Sequence, residues 1–142
     1  MSRILGIDYG ERRIGLAVSD PTATIAQPLP TLTRRAGKRP PVATILQLIR
    51  EYDVAEIVVG LPLTLEGEES EWTREVRDFG EKLARRAGLP VHWVDERLTS
   101  VRAERAVRSL DLPRRERERK ERIDAAAAVL ILQTHLDRRP RV

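Results

Sequence analysis

Residues 4–20 hold two apolar runs, Ile4–Ile7 and Ile14–Val18, joined by the short polar stretch Tyr9–Arg13. Neither run alternates polar with apolar side chains. A strand of that kind is covered on both faces, so the first run is expected at the centre of a sheet, paired with the second in a β-hairpin. It ends in one charged side chain, Asp8. Burying a carboxylate at a strand end is costly unless it has a partner or a task, which makes Asp8 the first candidate site residue. The plainer reading is a turn-capping aspartate ahead of Gly10.

The rest of the chain alternates helix and strand. Pro28–Arg34 reads as a third strand whose leading proline suits a sheet edge. A basic linker, residues 35–41, leads to a helix starting near Pro41, with Val42, Ile45, Leu46, Ile49 and Tyr52 on one face. Ile57–Leu61 is a second fully apolar strand, ended by Pro62. Ser70 is placed to cap a helix carrying Thr73, Val76, Phe79, Leu83 and Ala87 inward, and Gly88-Leu89-Pro90 stops it. Val91–Val94 forms the fifth strand and runs into Asp95-Glu96-Arg97. Thr99 or Ser100 then caps a helix with Val101, Val107 and Leu110 inward. Arg114–Arg122 mixes Arg and Glu without apolar anchors and is expected to be mobile or weakly helical, a flap that orders on substrate. A last helix presents Ile123, Ala126, Ala127, Leu130, Ile131 and Thr134. The order β-β-β-α-β-α-β-α-α implies one domain, residues 1–142, of α/β class: a mixed five-stranded sheet flanked by helices.

Composition narrows the chemistry. With no cysteine in 142 residues, disulfides and thiolate metal sites are excluded. The absence fits a reducing cytosol. No apolar stretch approaches membrane-spanning length, and no signal peptide is visible, so a cytoplasmic protein with no membrane partner is expected. The net charge of +4 is unevenly spread: residues 97–122 hold ten basic and five acidic side chains. A basic face points to phosphate-rich partners, nucleic acid above all, although Arg–Glu mixtures also serve as solvated helix faces.

Four acids stand where burial would not place them by default: Asp8, the pair Asp95-Glu96, and Asp124 opening the last helix. Asp95 or Glu96 alone pairs with Arg97, and Asp124 alone suits a helix N-terminus. Together they suggest one cluster at the C-terminal edge of parallel strands, where sites lie in open α/β sheets. Clustered carboxylates repel unless a cation neutralises them. Their hard oxygens suit Mg²⁺ or Mn²⁺, ions that activate water and stabilise the leaving oxygen of a phosphodiester. His92, mid-strand, and His135, late in a helix, have no zinc-ligand spacing and read as structural and surface residues. Ser19 and Ser100 lack a nearby base, and neither a dinucleotide fingerprint nor a P-loop is present.

These blocks resemble the YqgF/RuvX family: Gly6–Gly10 with Arg13–Ala17 and Ser19-Asp20, Val59–Leu63 with Gly67, Asp95–Ser100, and Asp124–Gln133. The resemblance runs from Ile4 to Leu136. It implies a ribonuclease H-like fold, a bacterial cytoplasmic setting, and activity as a nuclease of pre-16S ribosomal RNA, with Holliday-junction resolution as the older alternative. It carries over Asp8, Glu96 and Asp124 as catalytic, metal-binding acids, with Thr99 and Ser100 orienting site or substrate. Arg13, Arg97, Thr99, Ser100, Lys120 and Arg122 are the expected contacts to structured RNA or branched DNA. One departure stands out: ribonuclease H-like nucleases commonly end the fourth strand in an acid, and here it ends Gly60-Leu61-Pro62. For sheet order 3-2-1-4-5, strand five lies two spacings, roughly 9–10 Å, from strand one. Glu96 reaches toward Asp8 better than Asp95, which alternation puts on the other face. A binding module without chemistry and a sugar-kinase-like ATPase are the competing classes. The chain is too short for the two domains of the latter. A monomer and a homodimer are both compatible with the sequence.

Overall fold

The computed structural model describes residues 2–34, 39–99 and 117–140, the last stretch with side chains from Ile123 onward. Five strands form one sheet in the order β3-β2-β1-β4-β5. They are β1 (Arg3–Tyr9), β2 (Arg13–Ser19), β3 (Ala26–Thr33), β4 (Val54–Leu61) and β5 (Val91–Asp95). β1 is central, antiparallel to β2 and parallel to β4. Its residues Ile4–Tyr9 are all buried, as its unbroken apolar run requires.

Strand alternation splits the core into two layers. Leu5, Ile7 and Tyr9 face α1 (Val42–Glu51) and α2 (Glu71–Ala87). Ile4, Ala17, Val58 and Val94 face the last helix, α3 (Arg117–Arg138). On the first side Tyr9 stacks on Phe79, ring centroids 4.0 Å apart. Ser70 caps α2 as expected, in a capping box: its hydroxyl accepts from the Thr73 amide at 3.2 Å, and the Thr73 hydroxyl accepts from the Ser70 amide at 3.0 Å. Thr73 also donates to the Pro62 carbonyl at 2.5 Å, tying the start of α2 to the end of β4. Gly88 closes α2 at φ 68°.

Three expectations need correction. β3 begins at Ala26 rather than Pro28, so Pro28 lies within the strand, opposite Ala17. An edge strand tolerates this because one side of its ladder is unused. The last helix begins at Arg117, so residues 117–122 of the expected mobile segment are helical, and Asp124 lies two turns inside the helix instead of opening it. The buried face of α3 is Ala127, Ala128, Ile131, Leu132 and Leu136, turned by about one residue from the expected face. The run from Ala125 to Leu132 is apolar all round and does not fix its own phase. The sheet fixes it instead: a Cβ on Gly6 would stand 2.6 Å from the Leu132 Cβ. The helix expected around Val101–Leu110, with residues 114–116 of the flap, lies outside the described residues.

Candidate active site

The C-terminal ends of β1 and β5 carry Asp8 and Asp95-Glu96 to the same edge of the sheet, and α3 crosses above them. Asp8, Glu96 and Asp124 are 1%, 2% and 0% exposed. Two glycines set their relation. Gly15 pairs with Asp8 across the hairpin, and the space its missing side chain leaves is filled by the main-chain carbonyl of Asp124. The helix therefore docks at Asp124 directly over the strand pair that holds Asp8.

Gly60 does the same for Glu96. A Cβ there would stand 2.9 Å from Glu96 Oε1 and 2.5 Å from Ile131 Cδ1. β4 pairs with β1 through Ile7 and Val59, so Gly60 is the next residue along, beside Asp8. The Glu96 carboxylate thus leans from β5 across β4 and stands about one strand spacing, roughly 4.8 Å, from β1. The acid missing from the end of β4 is replaced in space by one reaching over it from β5.

Asp95 points elsewhere. It accepts from the Arg97 amide at 2.9 Å, capping the 3-10 turn Glu96–Leu98, and pairs with the Arg97 guanidinium, Nη2 to Oδ2 2.6 Å. That pair holds the Arg97 guanidinium above its ordinary pKa. Arg97 also donates to the Leu65 carbonyl at 3.4 Å, so it braces the β4–α2 loop against the turn. Thr99 closes the same turn, its hydroxyl donating to the Glu96 carbonyl at 3.1 Å.

Arg13, expected on the nucleic acid, lies with its Nε 2.6 Å from Asp124 Oδ2. Its own side chain is 27% exposed while that of Asp124 is fully buried. Ser100 and the side chains of Lys120 and Arg122 lie outside the described residues. Chemically, three buried carboxylates from three distant segments are brought to one end of the sheet. Hard oxygen donors of this kind fit Mg²⁺ or Mn²⁺; held without such an ion, clustered carboxylates need cations of the protein's own, and Arg13 is one.

The sequence reading missed a second constellation. His92 lies beside Glu56, Nε2 to Oε1 2.8 Å, and its ring stacks on His135 with centroids 4.8 Å apart. With the helix phase corrected, His135 follows Ile131 by one turn and falls at the edge of the buried stripe rather than on the open surface. The strand alternation that puts Glu56, Val58 and Gly60 on one face was the other available signal.

A 3-2-1-4-5 mixed sheet with paired helices on one face, and on the other a single helix bringing an acid to the central strand, is the ribonuclease H-like architecture. Among solved structures, T. thermophilus RuvC in complex with Holliday junction substrate shares the fold at TM-score 0.56, with 17% identity over 96% of this chain and 94% of that one. The family described as "RuvX: Holliday junction resolvase" matches residues 2–138, and the chain belongs to it. A Koribacter versatilis protein is 47% identical over 96% of this chain and 88% of its own length. One from Moorella thermoacetica is 45% identical over 96% of this chain and 95% of its own. The names of both propose a pre-16S rRNA nuclease. Among the described residues no helix is long and apolar enough to cross a membrane.

Proposed function

We propose that this nuclease hydrolyses phosphodiester bonds of structured nucleic acid, with the 5′ end of pre-16S ribosomal RNA as its substrate and Asp8, Glu96 and Asp124 as its catalytic acids. What supports the reading is that three buried carboxylates come to the same end of the sheet, the Asp124 backbone seated over Gly15 and the Glu96 carboxylate over Gly60. The relatives' names support the substrate.

The three acids would hold Mg²⁺ or Mn²⁺, an ion that would supply activation of water and charge stabilisation at the leaving oxygen. The chain's own residues do the positioning. Asp8 is fixed by the central strand. Glu96 is fixed by the turn that Asp95 and Thr99 close. Asp124 is fixed by docking of α3. Arg13 neutralises Asp124 and, being partly exposed, would be able to turn to a substrate phosphate if a divalent ion were held by that carboxylate. Arg97, Thr99, Ser100, Lys120 and Arg122 are the proposed contacts to the nucleic-acid backbone, giving register rather than sequence. The whole chain acts as one cytoplasmic nuclease domain.

A second reading, resolution of four-way DNA junctions, is favoured by the family's description. Symmetric cutting of two strands calls for a homodimer, whereas trimming one RNA end is served by a monomer. The test is cleavage of a precursor rRNA fragment and a four-way junction side by side, with Mn²⁺ or Mg²⁺, by wild type and Asp8→Asn. Metal-dependent RNA cutting lost in the variant, with the junction intact, supports the ribosomal reading. Paired junction nicks lost in the variant support the second. No metal-dependent cutting of either sinks both and leaves a binding module.

A further inference from the structure

At the opposite edge of the sheet from the acids, β4, β5 and α3 meet in a different kind of cluster. Glu56 precedes Gly60 by four residues on β4, and His92 on β5 precedes Glu96 of the following turn by four, placing them about 13 Å from the acidic end. His135 follows Asp124 by eleven residues on α3, about 16 Å along the helix axis. Glu56, His92 and His135 each offer a ligand atom, all within 4.8 Å of one another.

We infer that Glu56, His92 and His135 form a second metal site, for a borderline transition ion of the Zn²⁺ class, that clamps the C-terminal end of α3 to the sheet. Donor chemistry separates it from the acidic site: two imidazoles and one carboxylate suit Zn²⁺, Co²⁺ or Ni²⁺, whereas three carboxylates suit Mg²⁺ or Mn²⁺. Geometry supports closure. Ligands at 2.0–2.1 Å from a tetrahedral Zn²⁺ stand about 3.4 Å apart, so no separation need contract by more than about 1.4 Å, and the 2.8 Å His92–Glu56 contact opens slightly.

Two details favour a ligand over a plain hydrogen-bond cluster. His135 Nε2 is buried and takes no hydrogen bond among the described residues; a buried polar atom left so costs free energy that an ion would recover. Glu56 Oε2 accepts from Arg139 Nη1 at 2.7 Å, which leaves Oε1 as the ligating oxygen and supplies the outer hydrogen bond that ligating carboxylates usually have. The His92 side chain is 39% exposed, giving an ion a route in and leaving a fourth position to water. The Arg139 charge weakens the site, so micromolar rather than tighter binding is expected.

The test titrates Zn²⁺ and Co²⁺ into the full chain carrying Asp8→Asn, which cripples the acidic site. Bound Co²⁺ is read by its d–d absorption, stoichiometry by calorimetry, and the clamp by the thermal midpoint. One equivalent bound at micromolar concentration, with tetrahedral Co²⁺ absorption and a raised midpoint, is expected. All three are lost on adding His135→Ala, and equally on adding Glu56→Gln, which keeps a hydrogen-bonding side chain at the site and guards against a folding artefact. Absence of saturable uptake at micromolar ion, or uptake unchanged by both substitutions, overturns the inference. Uptake that persists in them but vanishes with Glu96→Gln assigns the ion to the acids and overturns it as well. Mg²⁺-dependent cleavage by the His135→Ala protein reports separately on the proposed nuclease function.

Discussion

A side chain on Gly60 would stand 2.9 Å from Oε1 of Glu96: the carboxylate just after the fifth strand occupies the place that an acid on the fourth would fill. Asp95, its neighbour in sequence, is committed to Arg97. The two acids are therefore expected to separate cleanly in an assay. If Glu96 is a metal ligand as proposed, Glu96→Gln should lose more than the roughly 10–100-fold that a supporting group costs, while Asp95→Asn should lose no more than about tenfold. Initial rates at saturating Mg²⁺ check this. A larger loss for Asp95→Asn than for Glu96→Gln would mean that Asp95, not Glu96, carries the chemistry.

The same close approach predicts the cost of filling either glycine. Gly60→Ala meets the tips of two side chains, Glu96 and Ile131, which yield by rotation. About 1–3 kcal/mol of stability is expected to go, as in other overpacked cores, with a larger proportional loss of activity because Glu96 is displaced. Gly15→Ala meets the Asp124 backbone, which yields only if α3 lifts. Urea unfolding should rank Gly15→Ala as the more damaging substitution. A Gly15→Ala protein of wild-type stability would show that α3 does not dock where the structure places it.

What was legible in the sequence follows from which interactions are local. The central place of β1 came from an apolar run that needs cover on both faces, the full strand order from the family resemblance, and the ends of α2 from Ser70 and Gly88, whose caps act within a few residues. Asp8 stood out because a lone acid closes a buried run, and Glu96 was preferable to Asp95 by reach and alternation. The phase of α3 was not legible: its apolar run has no polar side, and the information lies in Gly6, Gly15 and Gly60, more than sixty residues away. The start of α3 was hidden for a related reason, since an Arg–Glu stretch has no apolar anchor to mark where a helix begins. With the phase wrong, His135 fell on the outside and its meeting with His92 and Glu56 went unseen.

Acid should loosen the β2–β3 connection. Asp20 accepts from the Ile25 and Thr24 amides at 2.8 Å each and from the Thr22 amide at 3.1 Å, besides the Thr22 hydroxyl. The Ile25 amide first, then the Thr22 hydroxyl and Thr24 amide, hold its carboxyl far below the ordinary 3.8. The folded value being the lower one, the stabilisation is complete above about pH 4 and is lost as pH falls through the folded value. Asp20→Asn should therefore destabilise at pH 6 and lose most of that disadvantage near pH 2. Urea midpoints of both proteins across that range test the sign. A gap that widens toward low pH would rule out the hydrogen-bonded carboxylate as its source.

Arg13 supplies the last prediction. Its guanidinium lies 2.6 Å from a carboxylate with no solvent exposure. Breaking a fully buried pair by removing one partner costs about 3–5 kcal/mol. Arg13 is partly exposed, and its loss lets water reach Asp124, so Arg13→Gln should cost less, about 2 kcal/mol. If the acids hold a divalent ion, that ion replaces the lost positive charge. The variant's stability should then depend on Mg²⁺ more steeply than that of wild type, whose Arg13 competes with the ion for Asp124. Thermal midpoints with and without Mg²⁺ measure both effects. Substrate affinity gives a further reading: if Arg13 turns to a phosphate once the ion is bound, the variant should also bind nucleic acid more weakly, with the slope of log affinity against log salt reduced by roughly one phosphate contact. A destabilised variant indifferent to Mg²⁺ and unchanged in its salt slope would confine Arg13 to packing.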